Sequence, residues 1–396
     1  MTAASATGVT PQERELLDLA RGLAERSRGH TSPNPLVGAV VVRDGRVVGQ
    51  GHHERAGGPH AEVVALRDAG EAARGATVVC TLEPCSHHGR TPPCCDALVA
   101  AGVARVVIGS MDPLEERRGR GARILAEAGI EVAVADGADA DACREMNAAF
   151  LTWAVTGRPL VTLKLATSLD GKVATATGES QWISGPASRA LVHRWRAESD
   201  AVAVGIGTAL ADDPLLTARD VDGEVTPPRR VVFDSAARLP AASALVRGAR
   251  DIPVTVVCGP AAPPAAVDAL AAAGVEVLRG PADPVARIGW GLDRLGEAAV
   301  QSLLVEGGAG LAAAFLAAGA VDRVAWFVAP ILIGGTGAPG AIGDPGAGTL
   351  AAAPRLAGTR WEQVGDDMLV TGRLRPLPGG GSAEEPPRTT TRRRVP

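Results

Sequence analysis

The stretch HAEVVALRDAGEAARGATVVCTLEPCSHHGRTPPCCDALVAAGVARVVIG, residues 60–109, decides the fold of the first part of the chain. Its apolar pattern predicts a helix over 60–73 followed by a strand over 76–82. The same order then repeats, with a helix over 95–101 and a strand over 104–109. Both strands are continuous apolar runs, which is typical of strands that helices cover on both faces. The stretch therefore predicts an α/β domain.

The same alternation covers the rest of this first domain. LVGAVVV (36–42) and VVGQG (47–51) flank an Asp-Gly turn signal at 44–45 and predict a β-hairpin. We place a domain boundary at Gly-Arg-Pro (157–159), where the pattern ends before a new strand begins. The other predicted elements of the domain are a helix over 121–128, a strand over 130–134 and a helix over 139–155.

The second part of the chain starts a new α/β pattern with a strand over 160–166. A closing segment, 366–374, reads as an edge strand, and 375–396 is rich in Pro, Gly and charge and predicts a disordered tail. The expected domains are therefore 11–157 and 158–374. The remaining strands are predicted over 201–205, 230–234, 253–258, 301–305 and 323–329, and the helices over 186–198, 262–273 and 308–318.

Composition excludes several classes of function. Forty basic and 44 acidic residues give a formal charge of -4, which implies no broad surface for nucleic acid. Aromatic residues make up only 3%, with no Tyr, too few for a platform of stacked bases. The sequence has neither a long uncharged apolar stretch nor an export leader at its start. We therefore expect a cytoplasmic protein with no membrane or nucleic-acid partner.

Histidine and cysteine cluster in the first domain. Six of the seven histidines precede residue 90, and four of the six cysteines lie from Cys80 to Cys95. Without an export signal, such clustering indicates a metal or a catalytic site rather than disulfides. His60 opens one predicted helix, while Cys85 and Cys94 each follow a proline near the start of another. One imidazole and two thiolates leave a fourth tetrahedral position for water, as in catalytic zinc sites.

Glu62 completes the chemistry of this candidate zinc site. Zinc makes water a nucleophile near neutral pH, and a carboxylate two residues past His60 can carry protons to a leaving amine. H-x-E followed by paired cysteines is the signature of zinc deaminases, although eight residues separate the cysteines here. A structural zinc or a fortuitous cysteine cluster is the alternative interpretation. Three neighbours remain as alternative ligands: Cys95 for Cys94, and His87 or His88 for His60.

A longer match carries a resemblance to a known family. TLEPCSHHGRTPPCCDALVAAGVARVV (81–107), with SPNP at 32–35 and PHAE at 59–62, resembles the bifunctional deaminase/reductases of riboflavin biosynthesis. The resemblance covers roughly residues 11–374. It implies a cytidine-deaminase-like, three-layer α/β/α domain that removes the 2-amino group of 2,5-diamino-6-ribosylamino-4(3H)-pyrimidinone 5′-phosphate. The residues it implies are His60, Cys85 and Cys94 for one zinc per chain, Glu62 for proton transfer and Asn34 for contact with the pyrimidine.

One loop of the first domain departs from the family pattern. The family usually has D-P-N-P a few residues before G-R-G, whereas this chain has Asp112-Pro113-Leu114-Glu115 before GRG at 119–121. Leu114 stands where the family has an asparagine that helps to hold the substrate. We therefore expect the substrate contacts of this loop to differ, while the zinc site is unaffected.

The two lysines of the chain draw attention to the second domain. Among 40 basic residues only Lys164 and Lys172 are lysine, and the others are arginine. In a chain so rich in arginine, a lysine is expected mainly where a compact ammonium group is needed. KLATSLDGK (164–172) and GESQWIS (178–184) resemble the reductase domain of the same family, whose fold is similar to dihydrofolate reductase. This implies reduction of the ribosyl group to a ribityl chain by NADPH. We expect Lys164 to bind the ribose oxygens or phosphate, and assign Lys172 no role.

A Gly-rich turn in the second domain is a candidate pyrophosphate site. VEGGAGLAAAF (305–315) follows a predicted strand and opens a helix, where backbone N–H groups can approach a pyrophosphate. For the cofactor, the resemblance and this turn give Ala166, Trp182, Thr208, Asp212, Ser235, Gly308, Ala309, Gly310 and Leu311. For the substrate, the resemblance gives Lys164, Ser180, Arg196, Leu216, Arg219 and Glu306, the two arginines being suited to a phosphate monoester.

The leading hypothesis is one chain with two consecutive activities that together yield 5-amino-6-(5-phospho-ribitylamino)uracil, working as a homo-oligomer. A base deaminase acting on nucleic acid or nucleosides, with an accessory domain, is a first alternative, since it shares the zinc chemistry. A non-catalytic, zinc-stabilised binding protein is a second, and it requires no open zinc position and no Glu62.

Overall fold

The computed structural model of the chain describes residues 8–87 and 92–378. Contacts between Cα atoms divide the chain into two compact units, the first running up to Gly157 and the second from Arg158 to Pro376. In these described ranges the first unit contains a sheet of five strands and the second a sheet of nine. No described helix combines the length and the apolar character that crossing a bilayer requires.

The sheet of the first unit mixes antiparallel and parallel strands. Its strands are β1 (Gly38–Arg43), β2 (Arg46–His52), β3 (Thr77–Cys80), β4 (Arg105–Ile108) and β5 (Glu131–Val134). They lie in the order β2-β1-β3-β4-β5. The predicted hairpin forms β1 and β2, β1 also runs antiparallel to β3, and β3, β4 and β5 are parallel. Because of this topology, the start of β1 and the ends of β3 and β4 meet at one edge of the sheet.

Helices cover both faces of this sheet. They are α1 (Pro11–Glu25), α2 (Ala61–Ala69), α3 (Cys94–Ala101), α4 (Arg120–Glu127), α5 (Gly137–Met146) and α6 (Ala148–Thr156). Val79 of β3 packs in one buried cluster with Leu17 of α1 and Cys143 of α5. Val78, next along the strand, packs in another with residues of α2, α3 and α4 such as Leu98. Alternate side chains of one strand therefore fill two cores, and the unit has three layers.

Two helical predictions for this unit need correction. A short 3-10 turn (Gly70–Ala73) replaces the last turn of the helix predicted over 60–73. The helix predicted over 139–155 is in fact α5 and α6, which meet at Asn147. The buried Asn147 side chain accepts from the backbone N–H of Leu36 and donates to its carbonyl, both at 2.8 Å. This tertiary pairing of an amide with a loop backbone interrupts the helix.

The sheet of the second unit is mostly parallel. Its strands are β6 (Leu160–Ser168), β7 (Ala201–Gly205), β8 (Arg229–Phe233), β9 (Val254–Cys258), β10 (Glu276–Arg279), β11 (Ser302–Val305), β12 (Arg323–Ala329), β13 (Ala357–Val364) and β14 (Asp367–Arg373). They lie in the order β10-β9-β8-β7-β11-β6-β12-β14-β13. All neighbours from β10 to β12 pair in parallel, and β14 and β13 are added antiparallel.

The prediction that residues 366–374 form an edge strand is wrong. These residues form β14, which pairs with β12 on one side and with β13 on the other. The edge strand is β13, whose residues are nearly all exposed. Because a strand with no buried face shows no apolar alternation, the sequence pattern does not reveal it.

The central strands of the second unit end at one edge of its sheet. The helices of this unit are α7 (Pro186–Ala197), α8 (Ile206–Asp212), α9 (Ala244–Arg247), α10 (Pro264–Ala272), α11 (Pro284–Glu297) and α12 (Ala309–Ala317). Strands β8, β7, β11 and β6 are successive parallel neighbours, so their carboxyl ends align. Open α/β sheets bind ligands in the crevice outside these ends. Of the tail predicted over 375–396, residues from 379 onward lie outside the described residues.

Candidate active sites

Three side chains of the first unit meet at the amino-terminal ends of two helices. His60 directly precedes α2, Cys94 is the first residue of α3, and Cys85 lies in the loop after β3. The Nδ1 atom of His60 lies 3.0 Å from Cys94 Sγ and 3.4 Å from Cys85 Sγ, and the two sulfurs are 3.4 Å apart. A tetrahedral zinc with ordinary bond lengths separates such donors by about 3.5–3.8 Å. The observed separations are slightly shorter than these, and the three donor atoms lie close enough together for one zinc ion to bind all of them.

The alternative ligands occupy other positions. The buried Cys95 thiol donates to the carbonyl of Pro84 at 3.4 Å, and it does not belong to the donor cluster of His60, Cys85 and Cys94. His87 lines the pocket beside the cluster without joining it. His88 lies outside the described residues.

The two thiols share hydrogen bonds that favour a thiolate. The backbone N–H of Cys94 donates to Cys85 Sγ at 3.2 Å. The hydrogen bond from the Cys94 thiol, together with His60, lowers the pKa of Cys85 to about 4. Since only the thiolate is a good metal ligand, Cys85 is prepared to bind a cation.

Glu62 lies in the first turn of α2 and is 3% exposed. Burial raises the pKa of its carboxyl group, and the negative charge of Cys85 adds to this effect. A carboxylate that takes up a proton readily beside a zinc-type donor set has the properties of a general base that later acts as an acid.

A relay of hydrogen bonds holds Asn34 in the wall of the same pocket. The Nδ2 atom of Asn34 lies 3.0 Å from Nε2 of His53, and Nδ1 of His53 lies 3.0 Å from the carbonyl oxygen of Pro59. Because a carbonyl only accepts, His53 carries its proton on Nδ1 and accepts from Asn34 on Nε2. Burial lowers the pKa of His53, which keeps the ring neutral. The Nδ2 atom of Asn34 is thereby engaged, and its Oδ1 atom is the group of this side chain that can accept a hydrogen bond from a ligand in the pocket.

Glu83 fixes the loop that closes this pocket. Its buried carboxylate accepts backbone N–H groups from Asp112, Gly119, Gly121 and Ala122, at 2.9–3.3 Å. These bonds connect the segment after β4 and the start of α4 to the loop after β3, which carries Cys85. A negatively charged group at a helix start is stabilising, because it meets unpaired N–H groups there.

The same loop shows why glycine is needed at its end. A Cβ atom on Gly121 would lie 2.2 Å from the carbonyl oxygen of Pro84, so the close approach of the two segments excludes any side chain. Leu114, the position that departs from the family, donates its N–H to Asp112 Oδ1 at 2.9 Å. Leu114 does not line the pocket, whereas Asp112 and Arg117 do.

In the second unit, Lys164, Arg196 and Glu306 form one charged cluster. Nε and a terminal nitrogen of Arg196 donate to the two oxygens of Glu306 at 2.6 and 2.9 Å. Burial opposes ionisation of Glu306, but Arg196 outweighs it and lowers the pKa of the carboxyl group. Burial lowers the pKa of Lys164, with Glu306 acting in the opposite direction. The Lys164 ammonium lies 5.9 Å from the ring centroid of Phe327 and makes no hydrogen bond to a described residue.

The other residues predicted to bind the substrate are Arg219, Leu216 and Ser180. Burial is the main cause that lowers the pKa of His193, and the positive charges of Arg196 and Arg219 lower it further, so both guanidinium groups lie near this imidazole. Leu216 is buried and has a positive φ of 53°. Ser180 is half-buried in the loop before α7.

The predicted cofactor residues follow the carboxyl ends of neighbouring strands. Gly308 precedes α12, and a Cβ on it would lie 3.4 Å from Oγ1 of Thr208 in α8, so these two positions adjoin. Ser235, two residues past β8, accepts a hydrogen bond from Arg287 at 2.6 Å. The other cofactor positions are Ala166 on β6, the 67%-exposed Trp182, Asp212 at the end of α8, and Ala309, Gly310 and Leu311 in the first turn of α12.

Comparison with known proteins identifies both units. Residues 10–110 match the family profile described as "cytidine and deoxycytidylate deaminase zinc-binding region", and residues 159–370 match the "RibD C-terminal domain". The riboflavin biosynthesis protein RibD of Escherichia coli is 42% identical over 380 residues, covering 90% of this chain and 98% of that protein. The RibD of Mycobacterium tuberculosis is 44% identical over 365 residues, covering 90% and 96%.

The chain belongs to the RibD family.

Solved structures of RibD proteins agree with this assignment. Acinetobacter baumannii RibD superposes with a TM-score of 0.82 at 39% identity, over 91% of this chain and 98% of that one. A Thermotoga maritima protein described as a diaminohydroxyphosphoribosylaminopyrimidine deaminase/5-amino-6-(5-phosphoribosylamino)uracil reductase superposes with a TM-score of 0.79 at 33% identity, over 91% and 98%. The predicted pairing of a cytidine-deaminase-like domain with a reductase domain is confirmed, as are zinc and NADPH as the cofactor types of this RibD chain.

Three RibD residues near the first site were missed by sequence reasoning. His53 is the second His of GHH at 51–53, directly after the hairpin, and this position at a strand end is the signal that could have found it. Glu83 belongs to the LEPC segment that carries Cys85, but the sequence does not show its role. The four backbone N–H groups that it accepts lie about 30–40 residues further along the chain. Arg117 gives no motif signal at all, because it lies in a run of charged residues that resembles a solvated loop.

Proposed function

We propose that the chain catalyses two successive steps of riboflavin biosynthesis on one small-molecule substrate. The first unit hydrolyses the 2-amino group of 2,5-diamino-6-ribosylamino-4(3H)-pyrimidinone 5′-phosphate. The second unit then reduces the ribosyl group with NADPH to give 5-amino-6-(5-phospho-ribitylamino)uracil. The observation that supports this most strongly is the combination of a three-donor zinc set and a buried Glu62 in one pocket with Asn34.

In the deaminase step, the residues of the first unit divide the work. His60, Cys85 and Cys94 hold zinc, which when bound supplies Lewis acidity and makes water a nucleophile near neutral pH. Glu62 takes a proton from water and delivers it to the leaving amine, so that a C–O bond forms, a C–N bond breaks and ammonia leaves. Asn34, oriented by His53, accepts a hydrogen bond from the pyrimidine.

In the reductase step, the charged cluster of the second unit acts on the sugar. NADPH supplies a hydride when bound, and the backbone N–H groups at the amino-terminal end of α12 would hold its pyrophosphate. Lys164 donates to the ribose oxygens and polarises the sugar carbon for hydride attack, while Glu306 pairs with Arg196 and its negative charge favours the charged form of Lys164. Arg196 and Arg219 are suited to the phosphate monoester.

The remaining assignments follow from this function. We place the boundary between the two catalytic domains at Gly157 and Arg158, where the compact units divide. The enzyme acts in the cytoplasm as a homo-oligomer, without a nucleic-acid or membrane partner. Sedimentation of the purified protein tests the oligomer, and a chain that sediments as a monomer contradicts it.

Ammonia release from three substrates tests the deaminase assignment. The purified protein is incubated with the diaminopyrimidine ribosylamino phosphate, with cytidine and with a single-stranded polynucleotide. We expect ammonia only from the diaminopyrimidine. Release from the polynucleotide or cytidine instead supports a base deaminase with an accessory domain, and release from none supports a non-catalytic zinc-stabilised protein.

A further inference from the structure

The pocket of the first unit has one phenyl ring in its wall. Among the described residues that line this pocket, Phe150 is the one Phe, Trp or Tyr. The same wall contains Asn34, Glu62 and Cys85, so the half-buried ring belongs to the cavity of the candidate zinc site. The chain has only four phenylalanines and no tyrosine, and the other three phenylalanines are buried in the second unit. The position of Phe150 is therefore exceptional among them.

The ring of Phe150 is not engaged by the protein itself. It pairs with no other aromatic ring or cation among the described residues. It also belongs to none of the buried apolar clusters described for the first unit. The residues that α6 buries are Ala148, Leu151 and Thr152. These residues anchor the helix, and the ring of Phe150 is left to the pocket wall.

The imidazole rings of the two histidines next to the zinc site already have partners. His60 is one of the three zinc donors. His53 lies between the amide of Asn34 and the carbonyl oxygen of Pro59, with a hydrogen bond to each. Phe150 is thus the ring in this wall that offers a π face and no hydrogen-bonding atom.

The helix that carries Phe150 is connected to the loop that carries Asn34. The side chain of Asn147, three residues before Phe150, accepts from the N–H of Leu36 and donates to its carbonyl oxygen, both at 2.8 Å. Leu36 also packs with Met146 in a buried cluster. Since Leu36 is two residues past Asn34, these contacts hold the two pocket segments in a fixed arrangement.

A pyrimidine requires two kinds of contact from such a pocket. Its hydrogen-bonding groups lie around the edge of the ring, where an amide such as that of Asn34 can meet them. Its two faces are apolar π surfaces. A nucleophile adds to a ring carbon from one face, which leaves the other face for a side chain. An aromatic ring is the side chain that binds such a face best.

We propose that Phe150 stacks on the pyrimidine ring of the deaminase substrate and makes the first site specific for a flat heteroaromatic ring. The inference rests on the proposed function of the first unit. Stacking fixes the plane of the base, and a hydrogen bond to Asn34 fixes its rotation within that plane. Phe150 is therefore a substrate-binding residue of the deaminase site.

The test measures KM for ammonia release from the diaminopyrimidine ribosylamino phosphate. Phe150→Ala should raise KM about 5- to 150-fold, the effect of losing the stacking of one base on an aromatic side chain. Phe150→Leu keeps apolar area but loses the ring, and should raise KM about 2- to 12-fold. Phe150→Tyr keeps the ring and should stay within about twofold of wild type. The value of kcat should change less than KM, because stacking also stabilises the bound substrate before it reacts.

A second aromatic residue of α6 provides the matched control. Trp153 lies on the same helix and is half-buried, but it does not line the pocket. Trp153→Leu removes an aromatic ring from this helix and should leave KM for ammonia release unchanged. A rise in KM equal to that of Phe150→Leu would show that any change in α6 disturbs the pocket, and would overturn the specific role of Phe150.

Zinc content, measured for every variant, shows whether the first unit is folded. KM values of Phe150→Ala and Phe150→Leu equal to wild type, or an equal rise in Phe150→Leu and Phe150→Tyr, overturn the stacking role and leave the proposed function standing. If Phe150→Ala loses its zinc, Phe150→Leu decides. If Phe150→Leu loses zinc as well, Phe150 is a structural residue and the inference fails. A wild-type protein that releases no ammonia overturns the proposed function and this inference with it.

Discussion

Replacing Lys164 by Met separates the role of its ammonium from its role in packing. Lys164 lies on β6 between the buried residues Leu163 and Leu165, and its ammonium makes no hydrogen bond to a described residue. Removing one pre-organised donor from an active site costs about 100- to 1000-fold in rate. We therefore expect Lys164→Met to lower kcat/KM of the reductase by about two orders of magnitude. Methionine is about as long as lysine and carries no charge, so the substitution keeps the space around β6 filled.

The same substitution should cost little stability. Burial lowers the pKa of Lys164 below its ordinary value of 10.5, so the folded state disfavours the charged form. The contact with the Phe327 ring, at 5.9 Å, lies at the outer limit of the cation–π range and is worth about 1 kcal/mol. These two effects oppose each other, and we expect the free energy of unfolding of Lys164→Met to lie within about 1 kcal/mol of wild type.

The lowered pKa also gives the sign of a pH effect. Between the pKa of Lys164 in the folded protein and 10.5, the unfolded state binds more protons than the folded state. The free energy of unfolding therefore rises with pH in that window. Lys164→Met removes this contribution. The free energy of unfolding of the variant should therefore rise less with pH in this window than that of the wild-type protein. Urea denaturation at a series of pH values measures the difference.

The other lysine of the chain provides the matched control. Lys172 donates to the carbonyl oxygen of Ala338 at 2.9 Å and lies in the turn after β6. Lys172→Met removes the same charge, and NADPH oxidation should remain close to wild type. Zinc content and ammonia release should be unchanged in both variants. If Lys164→Met oxidises NADPH with unaltered kcat/KM, Lys164 is structural and the reasoning from its retention in an arginine-rich chain fails.

Four further predictions concern the first unit. Glu62→Gln should keep its zinc and release ammonia at least about a hundredfold more slowly, since it cannot accept the proton, and near-normal release would assign the proton transfer to another group. Cys85→Ser and Cys94→Ser should each lose most of their zinc in metal analysis, and full occupancy in both contradicts the ligand set. Glu83→Gln should destabilise the first unit by about 3 kcal/mol in thermal denaturation, because two backbone N–H groups lose their acceptor, and an unchanged midpoint would refute this. A fragment ending at Arg158 should fold and deaminate alone, and a soluble, zinc-loaded but inactive fragment argues against independent domains.

Sequence patterns predicted the parts of the fold that local chemistry determines. The central strands of both sheets are continuous apolar runs, so strands such as β7 (Ala201–Gly205) and β12 (Arg323–Ala329) lie at the predicted positions. Helix α1 was not predicted, although Thr10 and Glu13 form a capping box and Pro11 opens the helix. That signal was available in the sequence.

The misplaced elements depend on contacts distant in sequence. The break at Asn147 arises from its pairing with the backbone of Leu36, 111 residues away. The outermost strand β13 (Ala357–Val364) has no buried face and hence no pattern. Neither feature can be derived from local propensity, because the partner that creates it is brought by the fold.

The candidate sites divide in the same way. The zinc donors and Glu62 belong to short motifs at predicted helix starts, so their association could be predicted. The orienting role of His53 depends on the carbonyl of Pro59 and on Asn34, and the pocket position of Arg117 depends on the loop that Glu83 holds. Such partners become visible only in three dimensions.

Mass analysis of the product, with and without NADPH, tests the central claim most directly. The purified, zinc-loaded chain is incubated with the diaminopyrimidine ribosylamino phosphate. Without NADPH, we expect a single product in which an NH group is replaced by oxygen and ammonia is released in equal amount. With NADPH, that product should gain two hydrogens as one NADPH is oxidised for each molecule. An unchanged substrate mass under both conditions, or reduction without deamination, contradicts the account of two consecutive activities in one chain.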